Sequence, residues 1–225
     1  MALLAIDTSS SVCVLGIREG ENTWVDEAEL GRSHSQEILP RIEALFERSG
    51  VDKSSLNAIV YGRGPGSFTG LRIGVGVVQG LAYGLAIPVV GVSSLACLAN
   101  QVVRPGQGAL IALSARNTEV YFGAYRATDT GLNLVGHEGV FEAAEIPSQS
   151  GDVEWIGIGD GWALADSLQA ASRVDVSEVY LDLKLKALDL IELGEVALSN
   201  GEKKTAMEAL PEYLREKVAA LPGKK

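Results

Sequence analysis

Cysteine and histidine are nearly missing from this chain, and its basic residues are outnumbered. The 225 residues include two cysteines, Cys13 and Cys97, and two histidines, His34 and His137. Both cysteines stand in apolar sequence and read as buried free thiols of a reducing compartment, not as a disulfide or a metal pair. The histidines lie far apart, with neither H-x-x-x-H nor H-E-x-x-H spacing, so a zinc peptidase has no ligand set. Lysine is absent between Lys53 and Lys184, which removes the phosphate-binding lysine of G-x-x-x-x-G-K-[ST]. With 19 Lys and Arg against 29 Asp and Glu, the formal net charge is −10. That balance argues against a protein that grips nucleic acid alone, but not against one that serves a nucleic-acid enzyme. The N-terminus has no basic n-region, and the apolar run 2–6 is too short for a secretory signal. Residues 73–92 carry no charge and reach membrane length, yet their glycines, Gln79 and Pro88 point to a soluble core and a cytoplasmic protein.

What is present is a hydrophobic fraction of 47%, ample for one large core or two small ones, and 26 glycines. The stretch 58–92 organises the rest. It reads as a buried strand (58–61), a loop through Gly62, Gly64, Pro65 and Gly66, a helix (69–85) and a second strand (88–92), a right-handed βαβ unit of a parallel sheet. The helix carries five glycines, which cost roughly 4–5 kcal/mol in helix propensity relative to alanine. With Gly70 at zero and about 100° per residue, Gly74, Gly76, Gly80 and Gly84 fall at about 40°, 240°, 280° and 320°. Arg72, Gln79 and Tyr83 cluster near 200°, at the edge of that arc. Such a glycine face lets another backbone come close, either the chain's own sheet or a partner helix.

Around this unit the order of elements repeats. Runs at 3–6, 12–18 and 22–30 read as strands, with Glu19-Gly20-Glu21 as a hairpin turn. Ser33 is a plausible N-cap for an amphipathic helix to Arg48, stopped by Gly50. Ser93 or Ser94 caps one more helix, to about Val103, and 104–108 reads as a linker. Beyond it, 110–114 lies 107 positions after 3–7, and Gly123 falls on Gly16 at the same offset. Strands at 119–125, 132–140 and 153–158 lead through Gly159-Asp160-Gly161 into a helix at 162–171, repeating strand, glycine turn and helix. Two duplicated βββαβα halves facing each other across a cleft follow, with lobes 1–103 and 104–225. An amphipathic helix (185–199), a last segment (211–218) and a Gly-Lys-Lys tail end the chain.

Several motifs fail on their letters. Ser67 stands where G-x-G-x-x-G needs its third glycine, and no acidic residue follows for a ribose. G-x-S-x-G around Ser67 would need glycines where Pro65 and Thr69 stand. The stretch A-I-D-T-S-S carries more. A strand ending in Asp and small hydroxyl residues before a hairpin is how actin- and hexokinase-type ATPases hold phosphates and magnesium. Asp7 would meet Mg²⁺ through water, and Thr8 or Ser9 would donate to phosphate. The plainer alternative is a serine-rich turn. The second half has Ser114 where a working ATPase of this kind supplies another acid.

A-I-D-T-S-S, R-S-H-S-Q-E-I-L-P (32–40) and above all Y-G-R-G-P-G-S-F-T-G-L-R-I-G-V-G-V-V-Q-G-L-A-Y-G (61–84) closely resemble the bacterial TsaB family, also called YeaZ. The match is strong over 1–103. It continues more weakly through S-A-R-N-T-E-V-Y-F-G-A-Y (114–125) and P-E-Y-L-R (211–215). The resemblance implies a two-lobed actin-like ATPase (ASKHA) fold without catalytic residues of its own and without a metal. It implies a scaffold or activator of the transferase that makes N6-threonylcarbamoyladenosine at position 37 of tRNAs reading codons that begin with A. The implied partners are a TsaD-type catalytic subunit, reached through the N-terminal lobe, and a TsaE-type ATPase. The resemblance also implies a homodimer when the chain is alone, tRNA met only through the complex, and no membrane. No cofactor of its own is implied, with ATP or ADP and Mg²⁺ at the interface of the complex. The family's usual acid in D-A-R is Ser114 here. The candidate partner surface is Gly70, Arg72, Gly74, Gly76, Gln79, Gly80, Tyr83 and Gly84, with the helix beginning near Ser35 next in line. Asp7, Thr8 and Ser9 are the candidate nucleotide contacts. The rival reading is a stand-alone ATP-dependent small-molecule kinase of the same fold.

Overall fold

The computed structural model describes residues 1–214 except 152. In chain order the first half forms β1 (Ala2–Asp7), β2 (Val12–Glu19), β3 (Asn22–Glu29), α1 (His34–Ser49), β4 (Ala58–Gly64), α2 (Phe68–Leu85), β5 (Val89–Ser93) and α3 (Ser94–Val102). The second half forms β6 (Gln107–Ser114), β7 (Glu119–Thr128), β8 (Gly131–Glu142), β9 (Glu154–Ile158), α4 (Ala165–Ser172), β10 (Val176–Tyr180) and α5 (Ala187–Ser199).

Two five-stranded sheets result, ordered β3-β2-β1-β4-β5 and β10-β9-β6-β7-β8. Read from the other edge, the second repeats the first strand for strand. In each, a three-stranded antiparallel meander continues into parallel strands. Two α/β sheets of one order bear out the duplication expected from the sequence. Each half runs one strand and one helix past a βββαβα unit. Of these, β5, α3 and α5 answer to the expected strand 88–92 and the expected helices to about 103 and over 185–199, and one strand was not expected. In the second half that strand is β10, a short edge strand whose V-S-E-V-Y is only partly covered. A 3-10 turn (Ala143–Glu145) stands where the first half has α1.

Every residue of β1 is buried, because the strand is flanked on both edges and covered on both faces. On one face α1 and α2 bring Ile38, Leu45, Val75 and Val78 against Leu4, Ile6, Leu15 and Ile59. On the other lies α5, where side chains added at Gly16 and Gly194 would run into Ile191 and Val60. The compact units are therefore 1–102 with 184–212, and 103–183. The sequence boundary at 103 left α5 in the second lobe. Polar contacts tie α5 to the first: Arg18 pairs with Glu195 at 2.7 Å, and Asn100 donates to Asp189 at 2.9 Å.

Local chemistry explains most boundaries. Gly50 ends α1 with φ 71°, its N–H donating to the Phe46 carbonyl. Ser33, expected to cap α1, makes no side-chain cap bond; Ser67 caps α2 by accepting from the Gly70 N–H, and Ser93 accepts from Leu95. Gly62 and Gly64 lie inside β4 and not in the following loop. The helix expected from 162 starts as a 3-10 stretch (Asp160–Leu164), because Gly159 and Gly161 press against the Ala112 carbonyl and the Asp160 carboxylate bonds the Ser114 N–H at 2.8 Å. Both cysteines are free and buried, and burial pushes the Cys13 thiol up to about 11. No described helix is long and apolar enough to cross a membrane. Of the expected segment 211–218, residues 211–214 have no regular structure, and the remainder, with the Gly-Lys-Lys tail, lies outside the described residues.

Candidate functional site

The turn after β1 folds its polar atoms inward. Asp7 accepts the Ser9 N–H at 2.6 Å, and its other oxygen lies 3.5 Å from the Ser94 hydroxyl. Gly62 clears the space for the carboxylate, since a side-chain carbon there would overlap it. Thr8 donates its hydroxyl to the Gly70 carbonyl at 2.7 Å, and the Ser9 and Ser94 hydroxyls are 3.0 Å apart. The Ser9 carbonyl accepts the Ser67 N–H, and a ring nitrogen of His34 bonds the Ser10 carbonyl at 2.9 Å. Asp7, Thr8 and Ser9 are 2%, 2% and 3% exposed. Burial holds the Asp7 carboxyl above its ordinary range, opposed by the Ser9 and Ser94 hydrogen bonds and more weakly by His34. These are residues of the kind that hold a Mg-nucleotide, but each polar group already has a partner inside the fold. As they stand they do not fit that ligand. Among the described residues no group of three His, Cys, Asp or Glu side chains could hold a metal ion.

The same turn splits the glycine arc of α2 in two. Gly70 and Gly74 are buried, and a side-chain carbon on either would collide with Thr8. They belong to the chain's own interior and leave the candidate partner surface, because close approach of helix and turn requires them there. Gly76, Gly80 and Gly84 are exposed, and a carbon added at any of them meets no described atom within 4 Å. The angular arithmetic accounts for the split. Positions near 0–40° look at the turn, and those near 240–320° look outward.

Of the other candidates, Arg72 is exposed, with its guanidinium 3.6 Å over the Phe68 ring, and Tyr83 is 76% exposed. Gln79 is half-buried and donates to the Ala209 carbonyl at 2.8 Å, so it anchors the segment after α5. Sequence reasoning missed Phe68 and Leu39, which are 52% and 56% exposed on α2 and α1. The signal for Phe68 is its place one residue after the cap Ser67, on the outward face. The result is a strip of bare helical backbone with aromatic and arginine side chains at its margins. Chemically it can pack against another helix, and it offers no nucleophile or paired acid and base.

Residues 28–222 match the family model described as "TsaD: tRNA N6-adenosine threonylcarbamoyltransferase". The chain is 34% identical over 234 residues to the tRNA threonylcarbamoyladenosine biosynthesis protein TsaB of Escherichia coli (strain K12), with all of both chains covered. It is 33% identical to the TsaB of Haemophilus influenzae, covering all of this chain and 98% of that one. Among solved structures, YeaZ from Pseudomonas aeruginosa superposes with a TM-score of 0.86 at 36% identity, covering 95% of this chain and 99% of the other.

Proposed function

Because this chain belongs to the TsaB (YeaZ) family of tRNA threonylcarbamoyladenosine biosynthesis proteins, we propose that it is a partner subunit, inactive alone, of the enzyme that makes that modification. The observation that carries the reading is the outward half of the α2 arc. Gly76, Gly80 and Gly84 together give up about 2–3 kcal/mol of helix propensity relative to alanine with nothing in the described fold to recover it. Close packing against another helix recovers it, because glycine lets two backbones approach. Arg72, Gly76, Gly80, Tyr83 and Gly84, with Phe68, form that surface. Its occupant is a TsaD-type catalytic subunit, or a second copy of this chain when the partner is absent. A TsaE-type ATPase joins the assembly, and tRNA, modified at adenosine 37, is met only through it, as the acidic balance of the chain favours. Any ATP or ADP with Mg²⁺ belongs to the complex and is held without the Asp7, Thr8 and Ser9 side chains. No observation favours the kinase alternative.

The test is the double variant Gly76→Leu with Gly80→Leu. Both positions have room, so it should stay folded with an unchanged or higher melting temperature. It should be monomeric by light scattering and fail to pull down the TsaD-type subunit, and it should not support tRNA modification. A folded variant that still pairs normally would remove α2 from the interface.

A further inference from the structure

On the flank of α2 away from α1, the chain that leaves α5 is strapped back onto the first sheet. Lys204 pairs through its backbone with Val89, at 2.9 and 3.0 Å. The Tyr61 hydroxyl donates to the Leu210 carbonyl at 3.3 Å and accepts from the Leu210 N–H at 3.2 Å. Arg63 forms an ion pair with Glu212. Ala206 and Ala209 turn inward, which leaves Met207 and Leu210 exposed at 73% and 61%. Six backbone and side-chain bonds along 204–212 make this a fixed feature and not a loose end.

Between the strap and the end of α2 lies a groove of about 480 Å³. Its walls include Ala82, Tyr83, Ile87, Pro88 and Ala206, and Lys203 and Lys204 stand at its border. Among the described residues neither ammonium group has a hydrogen bond or an ion pair. The carboxylate of the groove, Glu208, is committed to the N–H and hydroxyl of Thr205, at 2.8 and 2.7 Å. In a chain of net charge −10, an apolar groove bordered by two lysines that lack an ion pair among the described residues, with Lys204 only near enough to favour the charged form of Glu208, is complementary to an apolar side chain set among carboxylates. A phosphate backbone would ask for a wider basic surface. Tyr83 belongs both to this groove and to the outward face of α2, so the two surfaces are continuous.

We propose that the groove seats a large apolar side chain of the catalytic partner subunit, on a segment whose flanking carboxylates pair with Lys203 and Lys204. The proposal rests on the partner-subunit reading and gives that interface a second anchor, with Met207 and Leu210 packing beside it.

Association of the full chain with the TsaD-type subunit, followed at low and high salt, tests it. Lys203→Glu with Lys204→Glu should slow association about tenfold at low salt, flatten its salt dependence and approach wild-type rates at high salt. Met207→Ser should leave association fast and raise the dissociation rate several-fold. If wild-type protein binds the partner and both variants behave as wild type, the groove is not in the interface, while the partner-subunit reading stands. If wild-type protein does not bind the partner, both fall. Loss of self-association with partner binding intact would give the groove to a second copy and overturn the proposal. A melt on each variant secures the comparison; should the charge variant unfold, the dissociation rate of Met207→Ser decides.

Discussion

The Asp7 carboxylate is held by the Ser9 N–H on one side and approached by the Ser94 hydroxyl on the other, with Gly62 clearing the room it fills. Burial dominates its titration and raises the folded-state pKa above the ordinary 3.8. A carboxyl raised in the folded state binds its proton more tightly there than in the unfolded chain. Its contribution is therefore complete below about pH 3.8 and is lost as pH rises through the folded value. Asp7→Asn keeps an acceptor for Ser9, supplies an amide donor toward Ser94 and removes the buried charge. Relative to wild type it should gain stability at pH 7 and gain less at pH 4, read from urea melts at both. Destabilisation larger at pH 7 than at pH 4 would mean that the turn needs the ionised group. A-I-D-T-S-S shows from sequence alone that a strand ends in an acid beside hydroxyl residues. It does not show that Gly62 of β4 and Ser94 of α3 close over that acid. Those neighbours arrive through parallel pairing of β1 with β4 and β4 with β5, which joins positions far apart in sequence.

At the scale of the helix, the arc of five glycines in α2 could be drawn from spacing, but its two neighbours could not. Helical geometry gives the angle between Gly70 and Gly80; only the fold says that Thr8 faces the first and open space the second. The split makes opposite predictions for one kind of substitution. Gly70→Ala or Gly74→Ala gains helix propensity yet forces a carbon into Thr8, and should destabilise by about 1–3 kcal/mol. Gly76→Ala or Gly80→Ala meets no described atom and should stabilise the isolated monomer by about 1 kcal/mol each. Urea midpoints at concentrations too low for self-association would separate the pairs. If all four alanines stabilise, the turn gives way to the helix and the latch between them is loose. The boundaries of α2 were legible for a local reason, since Ser67 and the Gly-Pro-Gly run act within a few residues. The start of α4 was not, because its 3-10 opening answers to Ala112 and Ser114 on a strand more than 40 residues earlier.

For the whole chain, the repeat of strand, glycine turn and helix carried the duplication, and both sheets have the matching order. The allegiance of α5 was hidden because an amphipathic pattern says that a helix has a sheet to cover and not which one. Its small residues carry the answer: Gly194 lies on Val60, and Ala187 and Ile191 lie on Gly16. A prediction follows about what can stand alone. Gln101 donates its side-chain amide to the Lys184 carbonyl at 2.9 Å, so the two points where the chain leaves and re-enters the first unit are neighbours. Joining 1–102 to 184–214 through a short Gly-Ser linker should give a soluble protein with a cooperative melt and dispersed amide resonances, and it should retain the α2 surface. Residues 1–102 alone would expose the face of β1, β2 and β4 that α5 covers, where Leu3, Ala5, Val14 and Val60 have no accessible surface in the whole chain. That shorter chain should be aggregated or lack a cooperative transition. If 1–102 folds as well as the joined version, α5 is an accessory to the first sheet and not part of its core. If the joined version folds but no longer binds the partner that the full chain binds, residues 103–183 contribute to the interface as well.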